Sequence, residues 1–133
     1  RDTGDIVKDR FGVGAEFARD SGAAVLLKGV PTVVFAPTGE RFVSAAGTAA
    51  LATGGSGDVL TGIVGTVLAQ LALDHPAAEI AAVAAFIHGR AAELCGPVRG
   101  TTLEDILLAL PDAWNELPAS VPESILACIP AVP

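Results

Sequence analysis

Methionine is absent from all 133 residues and the first position is Arg1, so the sequence is expected to be part of a longer translated product. No cluster of lysine and arginine occurs either: 8 basic residues lie scattered against 15 acidic ones, for a formal charge of −7. Nucleic acid is held chiefly by Lys and Arg neutralising phosphates, so this balance argues against it as a partner. Cysteine is scarce, and Cys95 and Cys128 stand far from each other and from any metal-ligand spacing. That usage fits a reducing cytoplasm and not a disulfide framework. Long apolar runs are missing as well. The stretch 41–73 is nearly uncharged but is broken by Gly54, Gly55 and Gly57, and the run after Asp58 is shorter than the ~20 residues needed to cross a bilayer. No membrane span and no secretory signal are expected.

What is present reads as one core in an α/β order. Residues 9–20 place Phe11, Ala15, Phe17 and Ala18 at helical spacing, weakened by Gly12 and Gly14 and ended by Gly22. Ala23–Leu27 is an unbroken apolar run, the pattern of a strand buried on both faces in a parallel sheet. Thr32–Ala36 and Arg41–Val43 read as two strands of a hairpin around Pro37-Thr38-Gly39-Glu40. Val59–Leu73 is apolar almost all round, which predicts a helix enclosed by its neighbours, with Gly62 and Gly65 letting another backbone come close. Pro76 opens an alanine-rich helix reaching about Leu94. Thr102 with Asp105 has the form of a capping box for a helix through Ala109, and Pro111 starts a further turn carrying Trp114. Prolines at 118, 122, 130 and 133 exclude a regular helix or central strand beyond that point and leave a loose apolar tail.

The most informative segment is Ala52-Thr53-Gly54-Gly55-Ser56-Gly57-Asp58-Val59-Leu60-Thr61-Gly62. Glycines let a ligand approach the backbone, and the first amides of the helix behind them have no intrahelical acceptor. Such a turn cradles an anion: a phosphate would sit on the Gly55–Gly57 amides beside Asp58, the one group there able to take a proton. An aspartate at this place is also a good N-cap, but a cap does not require Gly54, Gly55 and Gly57 ahead of it. Lys28 is an ordinary solvated lysine unless its strand is parallel, in which case it stands at the end where ligands gather. His88 sits among Ala, Val, Phe and Ile as a packed histidine would, His75 is expected in solvent, and Trp114 and the phenylalanines in the core or at its rim.

The glycine string closely resembles the signature of the ADP-dependent NAD(P)H-hydrate dehydratases, a branch of the ribokinase-like superfamily. Lys28-Gly29-Val30-Pro31-Thr32 resembles the nucleotide-contacting segment upstream of it. The resemblance runs from about Val25 to the helix around Trp114. A bare Gly-x-Gly-Asp would indicate only the superfamily, whereas the longer string behind Lys-Gly-x-x-Thr indicates the branch. Where many members carry asparagine and methionine before the glycines, this chain has Gly47-Thr48-Ala49-Ala50-Leu51.

The resemblance implies an α/β fold, the C-terminal half of a ribokinase-like three-layer α/β/α domain over residues 1–117, with a Pro-rich tail at 118–133. It implies ADP-dependent dehydration of hydrated NAD(P)H, with ADP or ATP and Mg²⁺ as the cofactors. It assigns Lys28, Gly29, Val30, Pro31, Thr32 and Gly57 to the nucleotide, Gly55, Ser56 and Gly57 to an anion hole, and Asp58 to substrate and catalysis. Two other readings stay open: a small-molecule kinase of the same superfamily, acting for example on a vitamin-precursor alcohol, and a nucleotide-binding module without turnover. A half-domain would self-associate or pair with the missing upstream half, because Ala23–Leu27 would lack its parallel neighbour.

Overall fold

Side chains of Thr32–Phe35 alternate between two apolar clusters, and those two sides define the layers. Val33 and Phe35 join Ala18, with Ala15, Val25, Leu27 and Val43 packed around them. Val34 joins Ala36, Ala78, Ala81 and Ala82, with Ala24, Leu26 and Phe42. The computed structural model describes residues 3–117 and 126–129. In it a four-stranded sheet runs β1 (Val25–Leu27), β2 (Thr32–Phe35), β3 (Arg41–Ser44) and β4 (Leu126–Ile129), each pair of neighbours antiparallel. Val33 lies opposite both Leu27 and Val43, and Phe42 opposite both Val34 and Cys128.

The helices are α1 (Thr3–Lys8), α2 (Arg10–Ser21), α3 (Ser56–Leu71), α4 (Ala77–Leu94) and α5 (Leu103–Asn115), with a 3-10 turn at Ala49–Ala52. α2 covers one face of the sheet and α4 the other, with α3 and α5 packed on α4. This is the three-layer α/β/α arrangement. α2 begins where the Asp9 carboxylate accepts from the Gly12 amide at 2.8 Å and ends at Gly22, whose φ of +69° is left-handed. Gly14 lies so close to the Phe35 ring that a Cβ there would overlap it. α4 buries eleven residues, seven of them alanine, so its neighbours on both sides approach its backbone closely.

Several expectations are corrected. No antiparallel partner was expected for β1, yet it is one arm of a second hairpin with β2, across a four-residue link far too short for a parallel crossover. Its outer edge is unpaired among the described residues, and Val25–Leu27 are only half-buried. α3 is not enclosed by the described residues: of its side chains only Ser56, Leu60 and Val67 are buried, and nothing described lies within 4 Å of a Cβ at Gly62 or Gly65. The cause is that α3 packs mainly on α4, leaving the face with Thr61, Gly62, Gly65 and Thr66 exposed. Pro111 does not start a new turn but lies inside α5, which is continuous from the expected capping box to Asn115. The tail is not loose at Leu126–Ile129, which pairs with β3. It does so at the outer edge of the described sheet, where flanking prolines are tolerated. The rest of the tail lies outside the described residues. α1 had no sequence signal. No helix among the described residues is long and apolar enough to cross a membrane.

Candidate active site

The first turn of α3 is built by a glycine that cannot cap with a side chain. Gly55 is the N-cap residue at φ +89°, and a Cβ there would meet the Leu103 side chain at 2.8 Å. Only glycine suits that position. Its carbonyl accepts from the Asp58 amide at 3.0 Å and the Val59 amide at 3.1 Å, while the Ser56 amide turns back to the Thr53 carbonyl at 3.2 Å. The Gly57 N–H is left, among the described residues, without an acceptor inside the chain. Because Gly55 holds the N-cap place, Asp58 is not the cap. Its carboxylate lies exposed in the first turn, with no hydrogen-bond or ion-pair partner among the described residues.

Glycine at 54 and 57 answers no steric need among the described residues. Neither has a left-handed φ, and nothing stands within 4 Å of a Cβ at either place. The space above the turn is open among the described residues, and glycine there leaves a ligand room to approach the backbone.

Ser56 differs from its neighbours. It is 1% exposed, and its hydroxyl points inward to lie 3.4 Å from Nε2 of His88, itself 2% exposed on α4. Burial, helped by the positive charge of Lys28, pushes the His88 pKa down to about 4, so the ring is neutral near pH 7. Packed histidine is what the sequence indicated for this position, and His75 lies in solvent as expected.

Lys28 comes to the same place from the β1–β2 hairpin tip. Its ammonium donates to the Leu51 carbonyl at 3.3 Å, in the 3-10 turn that leads into the glycines. Among the described residues its strand pairs only antiparallel, with β2, and the hairpin tip and the turn before the glycines are neighbours. The tip itself is held by Arg10, whose guanidinium donates to the carbonyls of Leu27 at 3.3 Å and of Lys28 and Pro31 at 3.2 Å. Gly29 leaves room for that guanidinium. The Thr32 hydroxyl is spent within the tip, donating to the Gly29 carbonyl at 3.1 Å and accepting from its amide at 3.3 Å. Val30, 98% exposed, stands free in solvent.

Four positions that sequence reasoning missed support this strip. Gly89 of α4 faces Ala46 so closely that a Cβ would overlap the Ala46 backbone carbonyl. A glycine inside an alanine helix is costly, and that cost was the available signal of a close approach. Glu93 accepts from the Gly47 amide at 2.7 Å and pairs with Arg90 at 2.9 Å. Arg90 also binds Glu116, holding that carboxyl below its usual range. Arg10 carried no signal at all.

Against known proteins, a family model described as NAD(P)H-hydrate dehydratase matches residues 2–110. The chain belongs to the NAD(P)H-hydrate dehydratase family. It is 51% identical over 86 residues to a bifunctional NAD(P)H-hydrate repair enzyme, Nnr, of Mycobacterium leprae, covering 65% of this chain and 18% of that protein. It is 49% identical over 73 residues to an ADP-dependent (S)-NAD(P)H-hydrate dehydratase of Neisseria meningitidis serogroup B, covering 55% and 24%. Its fold matches that of the ADP/ATP-dependent NAD(P)H-hydrate dehydratase of Bacillus subtilis, co-crystallized with ATP/Mg²⁺ and soaked with CoA. The TM-score there is 0.71 at 30% identity, over 83% of this chain and 41% of that one. The chain thus spans less than half the length of each of these NAD(P)H-hydrate dehydratase relatives.

Proposed function

We propose that the protein containing these residues restores hydrated NADH or NADPH, using ADP to phosphorylate the ring hydroxyl and then eliminating phosphate. The observation that carries this reading is the first turn of α3. Among the described residues it presents an unpartnered carboxylate, Asp58, next to an unpartnered amide, Gly57, under open space at Gly54 and Gly57. Family membership supplies the substrate.

Asp58 accepts the proton of the ring hydroxyl as that oxygen attacks the terminal phosphorus of ADP and the bond to AMP breaks. The Gly57 N–H, with the positive end of α3 behind it, donates to the phosphate as charge builds. Gly55 shapes the turn, and Lys28, Gly29, Val30, Pro31 and Thr32 form the neighbouring wall for the nucleotide. Lys28 supplies a positive charge, and Val30 an apolar surface that is open in the structure. Phosphate then leaves with the C–O bonding pair as the ring nitrogen's lone pair forms a C=N bond, and loss of a proton from the adjacent ring carbon restores the C=C double bond and returns the pair to nitrogen. Among the described residues no group of three or more His, Cys, Asp or Glu side chains gathers. A Mg²⁺ ion carried on the nucleotide phosphates would neutralise charge there.

The free Cys95 thiol supports a reducing, cytoplasmic setting. The edge of β1, unpaired among the described residues, with Phe17 62% exposed at the adjoining apolar groove, supports a further segment or a second copy covering that side.

Product analysis on the full-length protein tests the reading. Hydrated NADH with ADP should give NADH, AMP and free phosphate. A stable phosphoester would make the protein a kinase, and nucleotide binding with neither product would make it a module without turnover.

A further inference from the structure

His88 and Ser56 make a contact that neither phosphate binding nor proton transfer uses. Burying an imidazole and a hydroxyl costs free energy unless they find partners, and here they are each other's, Nε2 to Oγ at 3.4 Å. Ser56 is the first residue of α3, next to Gly57 and two before Asp58. Its amide is already bound to the Thr53 carbonyl at 3.2 Å, so the residue faces the protein on both counts.

The contact belongs to a series along the length of α4. Glu93 holds the Gly47 amide, Gly89 lies against the Ala46 carbonyl, and Ile87 shares a cluster with Leu51. α4 thereby lines the strip from Ala46 to Ser56, and His88 is the member of this series that reaches the glycine turn. Because the ring is neutral, one nitrogen can accept while the other donates, and the Ser56 hydroxyl can rotate to match.

We propose that His88 is a positioning residue, which fixes the first turn of α3 through the Ser56 hydroxyl and so sets where the Gly57 amide and the Asp58 carboxylate stand. The inference rests on the dehydratase reading for its effect on turnover.

The test uses Ser56→Ala, which removes one oxygen, with His88→Leu, His88→Gln and the double variant Ser56→Ala/His88→Leu, all in the full-length enzyme. A displaced reacting group costs turnover more than ground-state binding, so Ser56→Ala and His88→Leu should each lower kcat about tenfold while ADP affinity stays within about threefold. His88→Gln keeps a polar group of similar reach and should recover most of the loss. The double variant should be no slower than the slower single one, because both act through one contact. A role in stability alone would lower Tm but leave kcat of the folded fraction unchanged, and that result overturns the proposal. So do losses that multiply in the double variant. Should His88→Leu fail to fold, Ser56→Ala decides alone: kcat within about twofold of the parent overturns the inference. If the parent itself forms no NADH, the dehydratase reading has failed separately. Amide shifts then still report position, and unmoved Gly57 and Asp58 signals in Ser56→Ala overturn the inference on its own.

Discussion

The Lys28 ammonium and the Leu51 carbonyl, 3.3 Å apart, join the tip of the β1–β2 hairpin to the turn that leads into α3. The same ammonium lowers the pKa of His88, so one cation touches both halves of the candidate site. Lys28→Met keeps the length of the stem and removes the charge. ADP affinity should fall about tenfold, the scale of one charge-assisted hydrogen bond. The His88 pKa should rise toward its ordinary value; calorimetry and an NMR titration of the imidazole check the two effects.

Asp58→Asn keeps the shape of the side chain and removes its ability to take a proton. Turnover should fall by roughly a hundredfold or more, with ADP affinity nearly unchanged. Activity within a few-fold of the parent would remove Asp58 from the mechanism.

Gly55 and Gly57 should respond differently to a side chain. Gly55→Ala forces a Cβ into a left-handed φ and against Leu103, and should cost stability by about 1–3 kcal/mol. Gly57→Val meets open space, so Tm should hardly move while ADP affinity and turnover fall together. Thermal unfolding set beside ADP titration separates the two variants. Unchanged ADP affinity in Gly57→Val would dissociate that position from the nucleotide.

Gly89→Ala sets two effects against each other. Alanine improves helix propensity by up to about 1 kcal/mol, but the Cβ overlaps a backbone carbonyl that cannot rotate away. Overpacking of that kind costs typically 1–3 kcal/mol. A net loss in denaturant unfolding is the expected outcome, and a gain would show that the Ala46 strip gives way easily.

Acid should weaken the fold before the carboxylates titrate. His88 has a folded pKa of about 4 against an ordinary 6.5, so between those values the unfolded chain takes up a proton that the folded chain refuses. Stability therefore falls as pH falls through that window and is flat, for this group, above it. Asp105 and Glu116, held low by Thr102 and Arg90, add their own losses further down. In His88→Gln the slope between pH 6.5 and 4.5 should flatten.

The hairpin at Pro37–Glu40, the capping box at Thr102 and Asp105 and the opening of α3 were legible because each is a local matter, settled by turn chemistry and orphan amides within a few residues. The pairing of β1 was not, since an apolar run of five residues fits either sheet type and only the short Lys28–Pro31 link favours the antiparallel choice. The exposure of α3 was hidden for another reason: periodicity reports what a helix is able to bury, and not what lies beside it. At the candidate site, the Gly57–Asp58 turn could be read from sequence. The grip of Arg10 on four carbonyls and the inward turn of Ser56 depend on contacts 17 or more residues apart.

The alanine content of α4 has a consequence for how this family member can change. Each methyl adds only about 0.8 kcal/mol on burial, and alanine has no rotamers through which a strain could dissipate. The distance from sheet to glycine turn is then set by the thickness of a bare helix. A larger residue at Ala81, Ala84 or Ala85 would be transmitted as a shift of whole elements instead of being absorbed locally. Drift on the alanine face of this helix should therefore shift the glycine turn well before it unfolds the protein, making those alanines among the most constrained positions of the molecule.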